Sequence, residues 1–301
     1  MKRAVSISIG SSKRNKAVEV PLLGETVSIE RIGTDGDMEA AAQKYKELDG
    51  TVDAFGVGGA DLGALVDGRF FPFHSVQPMV RFVKKTPLVD GGGLKNTLEN
   101  KAAKFLDRTL GEYIQQQGRK VFVTLGVDRW GLSKSFVDAG YEVVFGDLMF
   151  ALGIPIAIRS IGGMRTLAKL MIPIVTRFPF EWLYPTGEKQ EEHVPKYEKY
   201  YQWATVIAGD CHYVKRHMPN DLQGKIVVTN TTTPDDVAFF KNCGIKYLVT
   251  TTPVLEGRSF GTNMMEAALV AASGKGRPLS WAELNEMLDT LNFEPQLQQL
   301  N

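Results

Sequence analysis

The stretch from Arg119 to Asp147, RKVFVTLGVDRWGLSKSFVDAGYEVVFGD, constrains the fold more than any other part of the chain. A basic pair leads into Val121-Phe122-Val123-Thr124-Leu125, a run of β-branched and apolar residues of strand length, and a loop from Gly126 to Gly131 follows. Leu132, Phe136 and Val137 then share one helical face until Ala139-Gly140 ends it, and Tyr141 to Phe145 reads as a second strand. Two parallel strands joined this way need a crossover, so the stretch is a β-loop-α-β unit. Its loop brings backbone N–H groups to a helix N-terminus, where a phosphate can sit. Asp147 follows Gly126 by 21 residues, near the place where a Rossmann unit keeps the carboxylate that holds an adenosine ribose.

The loop departs from G-x-G-x-x-G at its centre. In Gly126-Val127-Asp128-Arg129-Trp130-Gly131, Asp128 stands where a second glycine would let the backbone approach pyrophosphate. Arg129 would offset that charge by pairing bidentately with a phosphate. The same residues also suit an ordinary βαβ unit whose loop binds nothing, and both readings stay open.

With 301 residues the chain is long enough for two modest domains, each burying a core. Its 35 basic and 34 acidic residues leave a net charge of +1, which gives no electrostatic footprint for nucleic acid. Cys211 and Cys243 are too far apart in sequence to read as a metal pair, and the four histidines show no ligand spacing, so no metal is expected. Two unpaired cysteines fit a reducing cytoplasm. The start, MKRAVSISIGSSKRN, is interrupted by Ser and Lys before an apolar core of signal-peptide length develops, and no apolar run is long enough to span a membrane.

Taken in order, Ala4 to Ile9, Ala17 to Val20 and Thr26 to Ile32 read as strands of a meander, and the Gly10 to Asn15 turn is solvated or holds an anion. Asp37 caps a helix from Met38 to Leu48, and Val52 to Val57 is the next strand. It ends in Gly58-Gly59-Ala60-Asp61, where Asp61 is either a functional carboxylate or a helix cap. Gly91-Gly92-Gly93 opens a long helix. Three glycines there are entropically costly, which suggests that something approaches the backbone closely, and Lys95 and Asn96 would face it. Lys95 near a helix start needs solvent or an anionic partner.

Met164 to Val175 reads as a helix bent at Pro173 in an apolar segment punctuated by Arg159, Arg165, Lys169 and Arg177. Burial against the N-terminal domain or in a homodimer is expected there, in preference to a membrane surface. From Thr205 the α/β rhythm resumes, with strands Thr205 to Ala208, Lys225 to Thr229 and Lys246 to Thr250. Thr229, Asn230 and Thr231 follow one of them, where open α/β sheets bind ligands, although such residues also cap helices. Arg258 and Asn263 flank the start of the helix Met264 to Ala272. Ser280 and Glu283 form a capping box for a last helix, and residues 294–301 are expected to be loose.

The runs GVGGAD, VDGGGLKNTLEN and GRSFGTNMMEA resemble bacterial proteins called quinate 5-dehydrogenase, a label related to the shikimate/quinate dehydrogenase family. The resemblance implies an N-terminal substrate domain, a C-terminal NAD(P) domain, and oxidation of a ring hydroxyl. That family's N-V-T-x-P-x-K and N-T-D runs are missing here, so its catalytic Lys-Asp pair does not carry over.

The expected architecture is α/β: a Rossmann-like doubly wound C-terminal domain with a smaller mixed α/β N-terminal domain. Residues 1–118 would be the substrate domain, 119–275 the nucleotide-binding domain, and 276–301 a C-terminal helix and tail. The expected function is NAD-dependent oxidation, with NADP possible, of a small hydroxy or keto acid. Gly126, Arg129, Gly131, Asp147, Thr229, Asn230 and Thr231 would hold the cofactor. Lys95 and Asp61 would move the proton, Asn96, Arg258 and Asn263 would bind the substrate, and Arg258 would clamp its carboxylate. The alternatives are an S-adenosylmethionine-dependent transferase using the same Gly126 and Asp147, or a non-catalytic two-lobed ligand-binding protein.

Overall fold

The computed structural model describes residues 1–66, 69–183, 193–252, 254–255, 258–259 and 261–301. The chain divides into two compact units. Unit 1 comprises Met1–Leu94, Leu170–Gly187 and Val254–Phe293, and unit 2 comprises Lys95–Lys169, Glu188–Pro253 and Glu294–Asn301.

The chain opens with β1 (Lys2–Ser8), β2 (Lys16–Leu22), β3 (Glu25–Gly33), α1 (Met38–Leu48) and β4 (Ala54–Gly58). The hairpin β5 (Gly63–Val66) and β6 (Arg69–Pro72), the short α2 (Gln77–Val80), β7 (Leu88–Val89) and α3 (Gly92–Thr97) follow. Next come α4 (Ala102–Gln117), β8 (Lys120–Val123), α5 (Trp130–Asp138), β9 (Glu142–Phe145), α6 (Asp147–Leu152), α7 (Ile161–Val175), α8 (Phe180–Leu183) and α9 (Glu198–Trp203). The rhythm continues through β10 (Val206–Ala208), α10 (Cys211–His217), β11 (Ile226–Thr229), α11 (Pro234–Asn242) and β12 (Tyr247–Thr250). The short β13 (Val254–Leu255) and β14 (Arg258–Ser259), then α12 (Thr262–Ser273), α13 (Trp281–Thr290) and β15 (Gln296–Gln299) complete the chain.

Unit 2 is the Rossmann-like, doubly wound part. Its six-stranded sheet runs β15-β12-β11-β10-β8-β9, all parallel except β15. Counting strands as they enter, the parallel order is 2-1-3-4-5, the flavodoxin-like winding rather than the 3-2-1-4-5-6 order of dinucleotide domains. Both faces are covered, which is why these strands read as unbroken apolar runs. Val121, Val123, Val206, Ala208, Ile226 and Val228 point into one core with Leu106, Leu132 and Phe136. Phe122, Ile207, Val227 and Leu248 point into the other with Tyr201, Val214 and Phe240. Thr233 with Asp236 and Ser280 with Glu283 each close a capping box, at α11 and α13.

Unit 1 carries the smaller mixed sheet, β2-β3-β1-β4-β7. It is not the expected meander. β2 and β3 are an antiparallel hairpin, but β3 then lies parallel to β1, so the hairpin serves as a crossover. The helix α12 packs on β1, β3 and β4, and α1 lies against β1. Tyr45 of α1 is buried and donates its hydroxyl to the carbonyls of Gly56 and Ile7, which satisfies the one polar atom it takes into the core.

The division differs from 1–118, 119–275 and 276–301, because residues 254–293 return to unit 1 and α4 belongs to unit 2. The tail expected to be loose forms β15, anchored by Leu300, which is buried in a unit 2 core. On α7 only the stripe Met164, Ala168 and Ile172 is buried, whereas Leu170 and Ile174 remain exposed.

Candidate functional site

In an open α/β sheet the ligand crevice opens where the winding reverses. In unit 2 that point lies between β8 and β10, since the chain first steps outward to β9 and then returns to the other side of β8. The loops beyond these strands are 124–129 and 209–210, joined by Thr229 at the end of β11 and Asn230 just beyond it.

The crevice is occupied by the protein's own charges. Arg129 is 4% exposed and is the residue from which α5 departs. Its guanidinium donates to Glu99, which is 2% exposed, and to Asp210 at 2.8 Å, while Asp128 lies 3.2 Å from Nε. Burial opposes its charge, but Glu99, Asp128 and Asp210 outweigh that cost and raise its pKa above the ordinary arginine value. Glu99 pays the burial more heavily. Desolvation lifts its carboxyl above the usual range despite Arg129 and Lys95, and its Oε2 makes no hydrogen bond among the described residues.

The network continues outward. Asn230 Nδ2 donates to Asp210 at 2.9 Å, and its Oδ1 accepts from the Cys211 amide and the Thr229 hydroxyl. Lys95 Nζ stands 3.7 Å from Asp128. Burial would raise the Asp128 carboxyl, but Lys95 and Arg129 reverse this and hold it below its ordinary value. Three carboxylates thus share two cations in this cluster.

The loop amides are engaged as well. Asp147 is 5% exposed, and its two oxygens accept from Gly126 N and Val127 N, each at 2.9 Å. Burial raises its pKa to about 6 against the opposing pull of those same amides. The glycines of the loop serve close packing. A Cβ on Gly126 would strike Met164 and Phe145, and one on Gly131 would stand 2.7 Å from the Asn96 Cα and the Lys95 carbonyl. Gly209 is confined in the same way by the Thr124 side chain.

The carboxyl edge of unit 1 is built differently. Asp61 lies beyond β4 and is followed by the strand β5, so it is not a helix cap. Asp90 accepts from Leu62 N at 2.7 Å and Gly92 N at 2.9 Å. Gly91 takes a left-handed φ of 92° and abuts Thr262 and Asn263, while Gly93 abuts Glu266 and Leu284. What approaches Gly91 and Gly93 is therefore α12, joined at Gly93 by Leu284 of α13, while Gly92 abuts Asp90, and Glu266 accepts the Leu94 amide. Asn263 donates to Ser6 Oγ at 2.7 Å. Arg258 is described only as backbone in β14; its side chain lies outside the described residues.

Of the sequence-derived residues, the structure brings Lys95, Gly126, Arg129, Gly131, Asp147, Thr229 and Asn230 into unit 2, with Asn96 beside Gly131 and Thr231 half-buried past β11. Asp61, Arg258 and Asn263 fall in unit 1. Glu99 and Asp210 were missed. Gly209-Asp210 at a strand end was a readable signal, whereas Glu99 sits inside a helical run with nothing to mark it. Among the described residues no group of three or more His, Cys, Asp or Glu is arranged to hold a metal ion.

Comparisons with known proteins follow the fold. The chain is similar to the crystal structure of a putative malic enzyme (malate oxidoreductase), at 12% identity, over 95% of this chain and 76% of that one, with a TM-score of 0.40. It is similar to a galactofuranose binding protein at 11% identity, over 98% and 94% of the two chains, with a TM-score of 0.37. A periplasmic ribose ABC transporter from Conexibacter woesei DSM 14684 matches at 11% identity over 93% and 88%, also with a TM-score of 0.37. Scores this low carry no argument about ligand or chemistry. The expected cytoplasmic location does not stand, because the inference from cysteine usage fails physically. Cys211 and Cys243 are both free and buried, so packing alone keeps them unpaired in any compartment. No curated relative matches the chain in sequence. A family model described as Domain of unknown function (DUF8753) matches residues 3–90. A second model matches residues 93–300, more than half of the chain, and the chain therefore belongs to the family described as Domain of unknown function (DUF8754).

Proposed function

We propose that this protein binds a small, polar, non-anionic molecule without transforming it, at the carboxyl edge of the unit 2 sheet. The observation that carries this reading is the Asp147 carboxylate on the Gly126 and Val127 amides. A phosphate at a strand-to-helix loop needs those N–H groups free. It would also enter beside Glu99, Asp128 and Asp210, whose one arginine is already committed. A hydroxyl-bearing or cationic ligand meets no such penalty, because Asp128, 43% exposed as a side chain, and Asp210, 26% exposed, offer acceptors at the rim.

The test is a thermal-shift screen of neutral sugars, polyols and small amines, followed by calorimetry on any hit. Saturable binding that is lost in Asp128→Ala supports the reading. Binding confined to carboxylates or phosphates overturns it.

A second reading is favoured by the glycine loop and by the position of Asp147. It is an NAD(P)-dependent oxidoreductase of a hydroxy acid such as quinate or shikimate. Lys95 and Asp61 would then move the proton, and Asn96, Arg258 and Asn263 would hold the carboxylate. This reading requires Asp147 to leave the loop amides when cofactor enters. Cofactor-dependent turnover of quinate, lost in Lys95→Met, would establish it in place of the first.

A further inference from the structure

The two main sheets expose four edges, and three of them are blunted. β2 carries Lys16, Glu19 and Pro21. β7 is two residues long. β9 is covered at Phe145, which exchanges hydrogen bonds with Ile158 in both directions. These are the ordinary devices that stop an open edge from recruiting another strand. β15 has none of them. Its residues Gln296, Leu297, Gln298 and Gln299 bear no charge, include no proline, and are all exposed.

The register identifies the groups that face outward. Leu300 N donates to Lys246 O, and β15 pairs antiparallel with β12 so that Gln298 lies opposite Leu248 and Gln296 opposite Thr250. In an antiparallel ladder every second residue bonds to a given neighbour, so Gln296 and Gln298 turn their backbone groups toward β12. Leu297 and Gln299 turn theirs away.

We propose that β15 pairs with β15 of a second copy of this chain, antiparallel, about a two-fold axis through Gln298. That register sets Leu297 opposite Gln299 of the second copy, and the reverse, giving roughly four backbone hydrogen bonds. Gln298 meets its own counterpart at the axis. A carboxamide both donates and accepts, so Gln opposite Gln is satisfied, whereas a charged residue there would face its like. An axis one residue earlier would bring Pro295, which has no N–H, into the ladder. The contact is isologous, and because the two-fold axis uses the β15 edge of both copies at once, this pairing closes at two. Four residues a side fall short of an obligate interface, so the dimer is concentration-dependent.

Sedimentation of the full chain over a concentration series tests this. The expected result is a reversible monomer–dimer equilibrium. Leu297→Pro deletes one outward donor in each copy while leaving the ladder to β12 intact, and weakens association by about ten-fold or more. Gln298→Lys places two cations face to face at the axis and acts in the same direction. Circular dichroism melts establish that each variant is folded; if Leu297→Pro is not, Gln298→Lys decides. A chain that stays monomeric at every concentration overturns the proposal. So does a dimer that the folded variants leave unchanged.

Discussion

The two units each place a glycine-rich turn at the carboxyl end of a parallel-paired strand, and the two turns look alike in sequence but are closed by different means. At Gly91-Gly92-Gly93 the closure is steric: α12 lies where side chains would be, and the half-buried Asp90 only trims the turn by accepting two amides. At Gly126 to Gly131 it is steric and electrostatic together. Asp147 holds the loop amides from a nearly dry position, and Arg129 seals the neighbouring crevice with Glu99 and Asp210. Glycine thus reports that something comes close to the backbone. It does not say whether that something is a ligand or another part of the same chain.

The largest expected effect lies in unit 2. Arg129→Met removes the hydrogen-bonded partner of a buried Glu99 and should cost ~3–5 kcal/mol in urea denaturation, because it leaves that carboxylate buried with only the field of Lys95 to offset its charge. A cost below about 1 kcal/mol, the level of a surface pair, would mean that electrostatic closure is not what distinguishes this loop.

The next effect follows from Asp147. Its folded pKa of about 6 lies above the ordinary aspartate value, so the folded state binds a proton more tightly than the unfolded one. Its contribution is therefore present in full below the unfolded pKa and is lost as pH rises through about 6. The decline across this window should approach ~3 kcal/mol, from a shift of about two pKa units. Asp147→Asn should flatten that part of the stability–pH curve. If the slope survives the substitution, the dry carboxylate is not its source.

Substitutions at the glycines would sharpen the steric half of the comparison. Gly131→Ala presses a methyl group on the backbone of Lys95 and Asn96 and should cost ~1–3 kcal/mol. Gly91→Ala adds to a similar contact a left-handed backbone that alanine resists, for a further ~1–2 kcal/mol. Equal melting temperatures for the two variants would remove the conformational part of that difference.

Much of this fold was legible because both faces of the unit 2 sheet are buried, so its strands are written as apolar runs between turns. Helix α1 was legible for the same kind of reason, a clear cap at Asp37 followed by an amphipathic face. Strand order was not legible. Nothing in the sequence between Ala4 and Ile32 states that β3 would lie parallel to β1, since the hairpin with β2 satisfies the local pattern equally well. The return of residues 254–293 to unit 1 was hidden for a related reason, because α12 is apolar on nearly every side and would suit either core. In the candidate site, Asp147 was legible by its spacing, and its hydrogen bonds to the loop amides were not. The spacing fits a ribose carboxylate and a loop-capping carboxylate alike, and only the burial of Asp147 against Gly126 and Val127 distinguishes them. Glu99 carried no signal, for a glutamate inside a helical run reads as solvated until Arg129 is seen beside it.

The central claim is that the β8 loop is closed by the chain's own carboxylates and does not receive a dinucleotide. Calorimetric titration of NAD into the full chain near neutral pH tests it most directly. The account predicts no saturable heat up to about 1 mM, the upper end of ordinary substrate affinities. Saturable binding of NAD that is weakened by Asp147→Ala would contradict the account and restore that carboxylate to a ribose.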